Sequence, residues 1–463
     1  MAGTGKTSIA LTLCQLLWYD ATVYLGGSFF CSRSTGTVER TDVQRIVPTL
    51  ATVLARQLPE YASALATQLA KQPDIAHWSV RSQIEHLLTL PLAELGRCEG
   101  QMAFVIDALD ECSDQKKLVE LIDTLADFKS TVPVKFLLTS RPEMHIRRTP
   151  ISDPDLSSIL QLHTIDPTQV SFDLRLYIGE SLAKGSDSTT WYTLHDVEAL
   201  VQRSGGLFIF ASTVLKYILD RLNDDGRRER LRKVTTAVSC GTASTAALDQ
   251  VYELVLAEAS RLDKVDADEL KDTKFVLACI LTARASLSVQ ALADLTDFKP
   301  AKLRGALERL PSLVHVPADD TTPGIQTLHA SFGDYMFDRA VIRFRITSAF
   351  GHDNLTRGCL RRLRQDDLCF NVSRSWSSFE QNPDTTPDWI APSLLYACFH
   401  WAHHLNLASD TCTFDDEIDR TFQQKLLFWL EVLSIMKKLR VAPVLLRIAS
   451  SVVCISFGLP PVH

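Results

Sequence analysis

Apolar runs alternate with amphipathic stretches along the first third of the chain. The amphipathic stretches have helical spacing; Ile46, Leu50 and Leu54, for example, recur on one face. The apolar runs are short and nearly continuous, which is typical of strands that are covered on both faces. We expect strands at residues 22–31, 102–109, 134–139 and 159–164. Strands that alternate with helices predict a parallel α/β sheet.

After the fourth apolar run the strand pattern ends and helical spacing takes over. Two short apolar runs at residues 314–316 and 325–328 predict a hairpin behind two or three helices, which is the make-up of a winged helix. The charged, Ser/Thr-rich residues 223–245 predict a loop or hinge, with the basic run 227–232 as its solvated face. Residues 375–388 predict a disordered break.

Composition and charge narrow the class of protein. The 463 residues include 48 basic and 55 acidic side chains, a net charge of −7, so there is no electrostatic reason to expect nucleic acid or an anionic membrane as a partner. The eleven cysteines lack the paired spacing of a disulfide framework, and we expect reduced, mostly buried thiols. No secretory signal pattern opens the chain, and the most apolar late stretch, residues 448–462, is too short to span a bilayer. We therefore expect a multidomain cytoplasmic protein.

One group of potential metal ligands stands close together in the sequence. Cys398, His400, His403 and His404 could be interpreted as a metal site. Because the group contains a lone cysteine and no cysteine pair, we interpret it instead as the face of an aromatic-rich helix.

The clearest candidate for chemistry is the glycine-rich segment at residues 2–8, which opens an amphipathic helix. A phosphate-binding loop needs small residues so that backbone N–H groups converge on phosphate, a lysine that reaches the β/γ oxygens, and a hydroxyl for Mg²⁺. The residues that meet these needs are Gly3, Thr4, Gly5, Lys6, Thr7 and Ser8. The full motif also has a glycine five residues before Gly5 and a preceding strand. This sequence contains neither, so a glycine-rich turn ahead of a helix is the alternative.

Two later segments support a nucleotide site. One apolar strand ends in Asp107, a carboxylate that can hold Mg²⁺ directly or through water. Asp110 and Glu111 follow it, and either can polarise an attacking water. Another apolar strand ends in Thr-Ser-Arg, which places hydroxyls and the guanidinium of Arg141 where a γ-phosphate would lie. The order and spacing of the three segments indicate a nucleoside triphosphate site.

These segments resemble a known set of motifs. Residues 2–8, 104–111 and 135–142 are similar to the Walker A, Walker B and sensor 1 motifs of NACHT-type nucleoside triphosphatases of the STAND class, in particular the fungal proteins with nephrocystin-3-like NACHT domains. Residues 204–211 resemble the family's Gly-Leu-Phe helix start, and residues 328–335 resemble its winged-helix His-x-Ser-Phe motif. The resemblance covers nearly the whole chain. Because the sequence begins inside the Walker A motif, we expect an N-terminally truncated fragment.

The resemblance implies an α/β P-loop NTPase fold with a parallel doubly wound sheet whose first strand is missing, followed by all-α helical and winged-helix domains. The implied regions are a P-loop NTPase (NACHT) domain at 1–165, a helical lid domain at 166–265, a winged-helix domain at 266–346 and a helical linker region at 347–463. Since the missing strand would lie inside the sheet, we expect the chain as given to bind nucleotide weakly and to aggregate through exposed strand edges.

The resemblance also implies roles at the phosphate site, with ATP or GTP and Mg²⁺ as cofactors. Lys6 would contact the β- and γ-phosphates, and the rest of the loop would bind phosphate through its backbone. Thr7 and Asp107 would ligate the metal. Asp110 or Glu111 would orient the attacking water.

Two further positions belong to the implied site, and a third departs from it. Arg141 would sense the γ-phosphate. His329 would reach the β-phosphate of bound ADP and lock a closed state. Phe208 stands where related ATPases often place a proline against adenine, which is a departure from the family pattern.

The implied function is a nucleotide-dependent signalling switch with slow hydrolysis that forms homo-oligomers when it is active. Relatives usually carry an N-terminal effector and C-terminal repeats that bind protein partners. Neither is found in this sequence, so the alternative is a truncated, non-catalytic relative that acts only as an interaction scaffold. A small-molecule P-loop kinase is disfavoured by the acidic pair after Asp107 and by the lack of a substrate-pocket motif.

Overall fold

Two units make up the fold in the computed structural model, residues 1–215 with 239–248 and residues 216–238 with 249–463. The structure describes residues 4–20, 22–32, 40–95, 100–141, 166–184, 191–237, 244–260, 267–365 and 390–456. Among the described helices, none combines the length and the apolar character that crossing a bilayer requires.

A three-stranded parallel sheet lies in the first unit. In chain order and in sheet order, the strands are β1 (Val23–Phe30), β2 (Gln101–Asp107) and β3 (Val134–Leu138). The register places Phe30 beside Asp107 and Ile106 beside Leu138, so the carboxyl ends of the strands meet at one edge of the sheet. Three predicted strands are therefore confirmed. The fourth, at 159–164, lies outside the described residues.

Helices cover both faces of this sheet. The helices of the first unit are α1 (Lys6–Trp18), α2 (Ile46–Gln57), α3 (Pro59–Lys71), α4 (Val80–Ile84), α5 (Leu90–Glu94), α6 (Gln115–Ala126), α7 (Pro167–Lys184) and α8 (Leu194–Ser204), and α9 (Phe208–Leu219) runs into the second unit. Phe104 and Ile106 of β2 pack in one core with α2 to α6, whereas Val105 packs with Ala10 of α1 and Leu25 of β1. Each buried side chain of this kind contributes about 1.5–3 kcal/mol. Strand β2 is a continuous apolar run because both of its faces are buried.

Within the described residues, the second unit is helical apart from one short hairpin. Its helices are α10 (Asp224–Ala237), α11 (Ser244–Ser260, which begins in the first unit), α12 (Ala267–Thr282), α13 (Val289–Thr296), α14 (Pro300–Leu307), α15 (Ala330–Asp334), α16 (Ser348–Arg364), α17 (Pro392–Asn406), α18 (Asp415–Ile435) and α19 (Ala442–Ser456). Strand β4 (Val314–His315) pairs antiparallel with β5 (Gln326–Thr327), where the sequence predicts a hairpin. An α/β region followed by a helical region is therefore confirmed, and the winged helix stays a prediction.

The predicted hinge at residues 223–245 is wrong over most of its length, because helix α10 occupies it. Arg230 of this helix is buried, and its Nε donates to Oε1 of Glu258 at 2.9 Å. Its Nη1 lies 3.1 Å from Oδ2 of Asp220, and its guanidinium carbon lies 4.4 Å from the centre of the Tyr217 ring. The basic run is therefore not simply a solvated face, since Arg230 packs into the second unit.

Replacing Glu258 with glutamine is expected to lower the free energy of unfolding of the second unit by about 2–3 kcal/mol, because it removes the more buried of the two carboxylates that pair with Arg230 and leaves only Asp220. Burial alone would raise the pKa of Glu258. The Tyr217 hydroxyl, Arg230 and Lys233 outweigh burial and hold that pKa at about 2. Urea unfolding followed by circular dichroism measures the loss.

Arg228→Gln is the matched control for this substitution. It removes an ion pair with Asp225, a side chain that is 95% exposed. Exposed pairs contribute little, so the expected change is below about 0.5 kcal/mol. Equal losses in Glu258→Gln and Arg228→Gln would show that the buried network does not stabilise the unit.

Buried histidines connect α16 to α17. Nδ1 of His352 lies 2.8 Å from Nδ1 of His404, and the Tyr396 hydroxyl lies 2.8 Å from Nε2 of His404. The backbone N–H of Arg284 donates to the Tyr396 oxygen at 3.1 Å. When the Tyr396 hydroxyl donates to Nε2 of His404, the Nδ1–H of His404 donates to Nδ1 of His352. This chain of hydrogen bonds is complete with both imidazoles neutral.

The group of potential metal ligands seen in the sequence lies on helix α17. Cys398 and His404 are fully buried on its inner face. In the part of the chain that the structure describes, no three histidine, cysteine, aspartate or glutamate side chains are placed to hold a metal ion. The histidines contribute to the core of the second unit instead.

Helix α16 approaches two neighbouring helices through glycine. A Cβ atom on Gly351 would lie 2.6 Å from the carbonyl oxygen of Ala278 on α12. A Cβ atom on Gly358 would lie 2.1 Å from the carbonyl oxygen of Leu295 on α13. Both distances are shorter than any side chain tolerates against backbone, so only glycine permits this packing.

Candidate nucleotide site

The glycine-rich segment forms the N-terminal end of α1. Gly5 caps this helix with φ 85° and ψ 14°, a left-handed conformation that favours glycine. Its carbonyl oxygen accepts a hydrogen bond from Ile9 N–H at 2.9 Å. The first N–H groups of a 13-residue helix therefore face the loop, which is the arrangement that binds phosphate. Gly3 lies outside the described residues, whereas Thr4 and Ser8 lie within them.

Asp107 joins three segments that are far apart in the sequence. Its carboxylate is 1% exposed at the carboxyl end of β2. The Thr7 hydroxyl donates to Oδ2 at 2.7 Å, and the Thr139 hydroxyl donates to Oδ1 at 2.5 Å. Thr139 in turn accepts a hydrogen bond from the backbone N–H of Ala108 at 2.9 Å. Both carboxylate oxygens of Asp107 are thus held by hydroxyl groups.

The donor set at Asp107 fits a magnesium ion. Mg²⁺ prefers hard oxygen ligands and usually takes one or two from the protein. The Thr7 hydroxyl and the Asp107 carboxylate supply such oxygens 2.7 Å apart. These two side chains could therefore hold the metal that the resemblance implies.

A short turn follows β2 and carries two acidic residues. Ala108 has φ 56°, a left-handed conformation that is uncommon for alanine, and it redirects the chain into the 3₁₀ turn Leu109–Glu111, which we call the acid turn. Asp110 in this turn is 6% exposed. Its Oδ1 accepts from the backbone N–H of Arg141 at 2.9 Å, and its Oδ2 lies 3.0 Å from Nε of Arg141. Arg141 therefore engages both oxygens of Asp110.

Lys6 shares one electrostatic environment with the acidic residues. Burial lowers the pKa of the Lys6 ammonium group. The Asp110 carboxylate opposes this shift of the pKa, Arg141 adds to it, and Asp107 and Glu111 oppose it. The fold thus brings Lys6 together with four other charged side chains of the predicted site, those of Asp107, Asp110, Glu111 and Arg141.

Sequence reasoning missed three side chains at this site. Thr139 belongs to a strand end that was predicted to face a γ-phosphate, yet its hydroxyl holds Asp107. Cys31 and Cys112 were predicted only as buried thiols, and their sulfur atoms lie 3.5 Å apart beside the acid turn. The sequence offers one clue to these residues, which is their position. Thr139 and Cys31 directly follow strands, and Cys112 directly follows the acidic pair.

Comparisons with known proteins agree with the motifs. Residues 1–141 match the family model "Nephrocystin 3, N-terminal". The chain is 24% identical over 376 residues to the vegetative incompatibility protein HET-E-1 of Podospora anserina, a match that covers 72% of this chain. The chain is nephrocystin-3-like and NACHT-like.

The nephrocystin-3-like chain spans about a quarter of the length of its curated relative, since the match covers 25% of HET-E-1. A solved structure of a RuvB mutant from Thermotoga maritima aligns with 73% of this chain and 95% of that chain at 14% identity. Its TM-score is 0.20, which is too low to carry an argument about the fold.

Phe208 lies close to the phosphate loop of this NACHT-like chain. A Cβ atom on Gly5 would lie 4.0 Å from Cδ2 of Phe208, and the Phe208 and Tyr177 ring centres are 6.2 Å apart. An aromatic pair therefore stands beside the loop where family members often place a proline. The presence of Phe208 instead of a proline thus changes the immediate surroundings of Gly5.

His329 belongs to the second unit, whereas the other candidate site residues belong to the first. It caps helix α15, and its Nδ1 accepts a hydrogen bond from Ser331 N–H at 3.0 Å. The Ser331 hydroxyl lies 2.7 Å from the same nitrogen and 2.8 Å from the hydroxyl of buried Tyr252. A neutral His329 therefore carries its proton on Nε2, because Nδ1 is an acceptor.

Proposed function

We propose that this chain binds ATP or GTP together with Mg²⁺ and acts as a nucleotide-dependent signalling switch of the STAND type with slow hydrolysis. The observation that carries the proposal is the Asp107 carboxylate, which accepts hydrogen bonds from Thr7 of the phosphate loop and Thr139 of the next strand. A carboxylate bound in this way, next to a lysine and a helix N-terminus, is what a metal-bound triphosphate requires.

In this proposal each residue acts on a stated atom of the nucleotide. Lys6 donates to the β- and γ-phosphate oxygens, and the backbone N–H groups of residues 3–8 bind the same phosphates. Thr7 and Asp107 hold Mg²⁺, which neutralises phosphate charge when it is bound. Arg141 exchanges its ion pair with Asp110 for the γ-phosphate.

Glu111 is our candidate for the residue that orients the attacking water. The sequence left Asp110 and Glu111 as alternatives. The backbone N–H of Arg141 donates to Asp110, so this carboxylate positions Arg141 even after the guanidinium has moved to the γ-phosphate. Glu111 is partly exposed in the same turn.

Glu111→Gln is expected to slow hydrolysis by about 10²-fold and to leave the Kd for Mg-nucleotide unchanged, because a positioned base acts on the chemical step. Asp110→Asn is expected to slow hydrolysis by a smaller factor, since the asparagine oxygen can still accept from the Arg141 backbone. Single-turnover hydrolysis and calorimetric binding separate the two steps. Normal hydrolysis by both variants would place the water-orienting role elsewhere.

The proposal extends to the second unit through His329. With its proton on Nε2, this imidazole has the donor needed to contact the β-phosphate of ADP, and such a contact would lock the ADP state. We also propose a helical lid at 166–265, a winged helix at 266–346 and a linker region at 347–463, with cytoplasmic location and homo-oligomers in the active state. Protein partners would act through effector and repeat regions of the kind that relatives carry.

The deciding experiment is calorimetric titration of the chain, extended at its N-terminus by an apolar strand and a glycine, with ATP and with GTP, each with Mg²⁺ and with excess chelator. For this extended chain we expect a Kd in the micromolar range or tighter that weakens when the metal is removed. Asp107→Asn should weaken binding in the presence of Mg²⁺ and have little effect in its absence. A folded protein that binds neither nucleotide would instead support the alternative of a non-catalytic interaction scaffold.

A further inference from the structure

Two thiols meet directly behind the acid turn. Cys31 follows the last residue of β1, and Cys112 follows Glu111. Their sulfur atoms lie 3.5 Å apart although 81 residues separate them in the sequence, and each residue is 4% exposed. Neither forms a disulfide in this structure. A disulfide bond of about 2.0 Å therefore requires the two sulfur atoms to approach by about 1.5 Å.

The position of this thiol pair couples it to the candidate nucleotide site. The backbone N–H of Cys31 donates to the carbonyl oxygen of Asp107 at 3.0 Å, and the N–H of Cys112 donates to that of Leu109 at 3.1 Å. Asp110 and Glu111 lie between Asp107, whose carbonyl oxygen is hydrogen-bonded to Cys31, and Cys112. A covalent bond from Cys31 to Cys112 would tie the acid turn to the end of β1.

We propose that Cys31 and Cys112 are a redox modification site, at which a small disulfide such as oxidised glutathione converts the two thiols into an intramolecular disulfide that immobilises the acid turn. One protein thiolate attacks the S–S bond of the oxidant and releases one thiol. The second protein thiolate then attacks the mixed disulfide and releases the other thiol. The protein loses two protons and two electrons, and the oxidant is reduced to two thiols.

Reaction at this site requires the acid turn to open. An oxidant cannot reach the sulfur atoms while Cys31 and Cys112 are each only 4% exposed. The rate of oxidation therefore follows the opening of the turn, and a ligand that holds the turn closed slows it.

The consequence for activity rests on the proposed function. If Arg141 must leave Asp110 when a γ-phosphate arrives, the acid turn has to adjust during each cycle of binding and hydrolysis. Tying Cys112 to Cys31 opposes that adjustment. The oxidised protein should then hydrolyse nucleotide more slowly than the reduced protein, and a reducing agent should restore the rate.

The test is incubation of the full chain with oxidised glutathione, followed by peptide mapping without reductant. We expect a peptide pair joined through Cys31 and Cys112 in the wild type and in Cys412→Ser, a control that removes an exposed thiol. Cys31→Ser and Cys112→Ser should each lack it. The bond should slow hydrolysis about 10-fold.

Each outcome has a defined meaning. Absence of the joined peptides in the wild type overturns the proposal. A disulfide-bonded protein that hydrolyses nucleotide as fast as the reduced protein overturns it as well. If the reduced protein binds no nucleotide, the proposed function fails separately. Hydrogen exchange then decides the remaining question, because the bond should increase amide protection at residues 109–112 whether or not nucleotide binds. Unchanged protection in the joined form would overturn the immobilisation.

Discussion

Lowering the pH from 7 to 4 is expected to unfold the second unit, with a steep loss of stability that begins near pH 6.5. Burial and nearby Arg284 depress the pKa of His352 and His403 to about 4 and that of His400 to about 3. Burial also holds the pKa of His404 well below its ordinary value. The helices α16 and α17 that carry these residues pack directly on each other.

The direction in which stability changes with pH follows from proton uptake by the histidines. Unfolded histidines bind a proton near pH 6.5, whereas the folded ones stay neutral down to about pH 4, so the unfolded state binds more protons in this interval. Stability is therefore complete above pH 6.5 and falls as the pH drops towards 4. For His352 alone the shift corresponds to about 3 kcal/mol. That is large against a net stability of about 5–15 kcal/mol.

Urea unfolding at a series of pH values measures this effect. Between pH 6 and 5 the slope of the unfolding free energy should correspond to an uptake of up to about four protons in the second unit. His352→Gln should lower the uptake by about one proton. A pH-independent free energy over this range would contradict the assignment of buried neutral histidines.

Lys6→Ala is expected to raise the Kd for Mg-nucleotide by about 10²–10⁴-fold, which in practice abolishes binding. Lys6 would make charge-assisted hydrogen bonds to two phosphates, and each contributes about 1.5–3 kcal/mol. Desolvation of its ammonium group already lowers its pKa, and the neighbouring Asp110, Asp107 and Glu111 carboxylates offset part of that shift. Isothermal calorimetry with ATP and with GTP measures the change.

Lys71→Ala is the matched control for the loss of one positive charge. Lys71 is exposed at the end of α3, in the same unit as Lys6 and outside the candidate site. The Lys71→Ala variant should bind nucleotide as the wild type does, and the Lys6→Ala and Lys71→Ala variants should unfold at the same urea concentration. If Lys6→Ala binds nucleotide as tightly as the wild type, the glycine-rich segment at residues 2–8 does not belong to the nucleotide site.

The sheet could be predicted because its signal is local. Strand β2 is apolar at Phe104, Val105 and Ile106, so its burial on both faces is visible in the sequence itself. Asp107 directly follows this apolar run, so its place at the end of the strand can also be read from the sequence. Parallel strands necessarily bring their carboxyl ends to one edge, which is why residues from distant segments could be assigned to one site.

Other features depend on contacts that no local pattern contains. Helix α10 has a strongly polar sequence and was predicted as a hinge, but long-range ion pairs of Arg230 and Lys233 with Glu258 hold it in place. Our proposal of Glu111 rather than Asp110 likewise rests on the position of Arg141, which follows a different strand. Neither set of tertiary contacts can be read from the local sequence.

The glycine contacts of helix α16 restrict how the second unit can deform. Moving α16 along its axis by one residue would bring Phe350 or His352 to the place that Gly351 occupies against the Ala278 carbonyl. The same shift would bring a side chain against Leu295 at the position of Gly358. Helix α16 therefore resists a one-residue slide against α12 and α13. We expect a rearrangement of the second unit to move these three helices together.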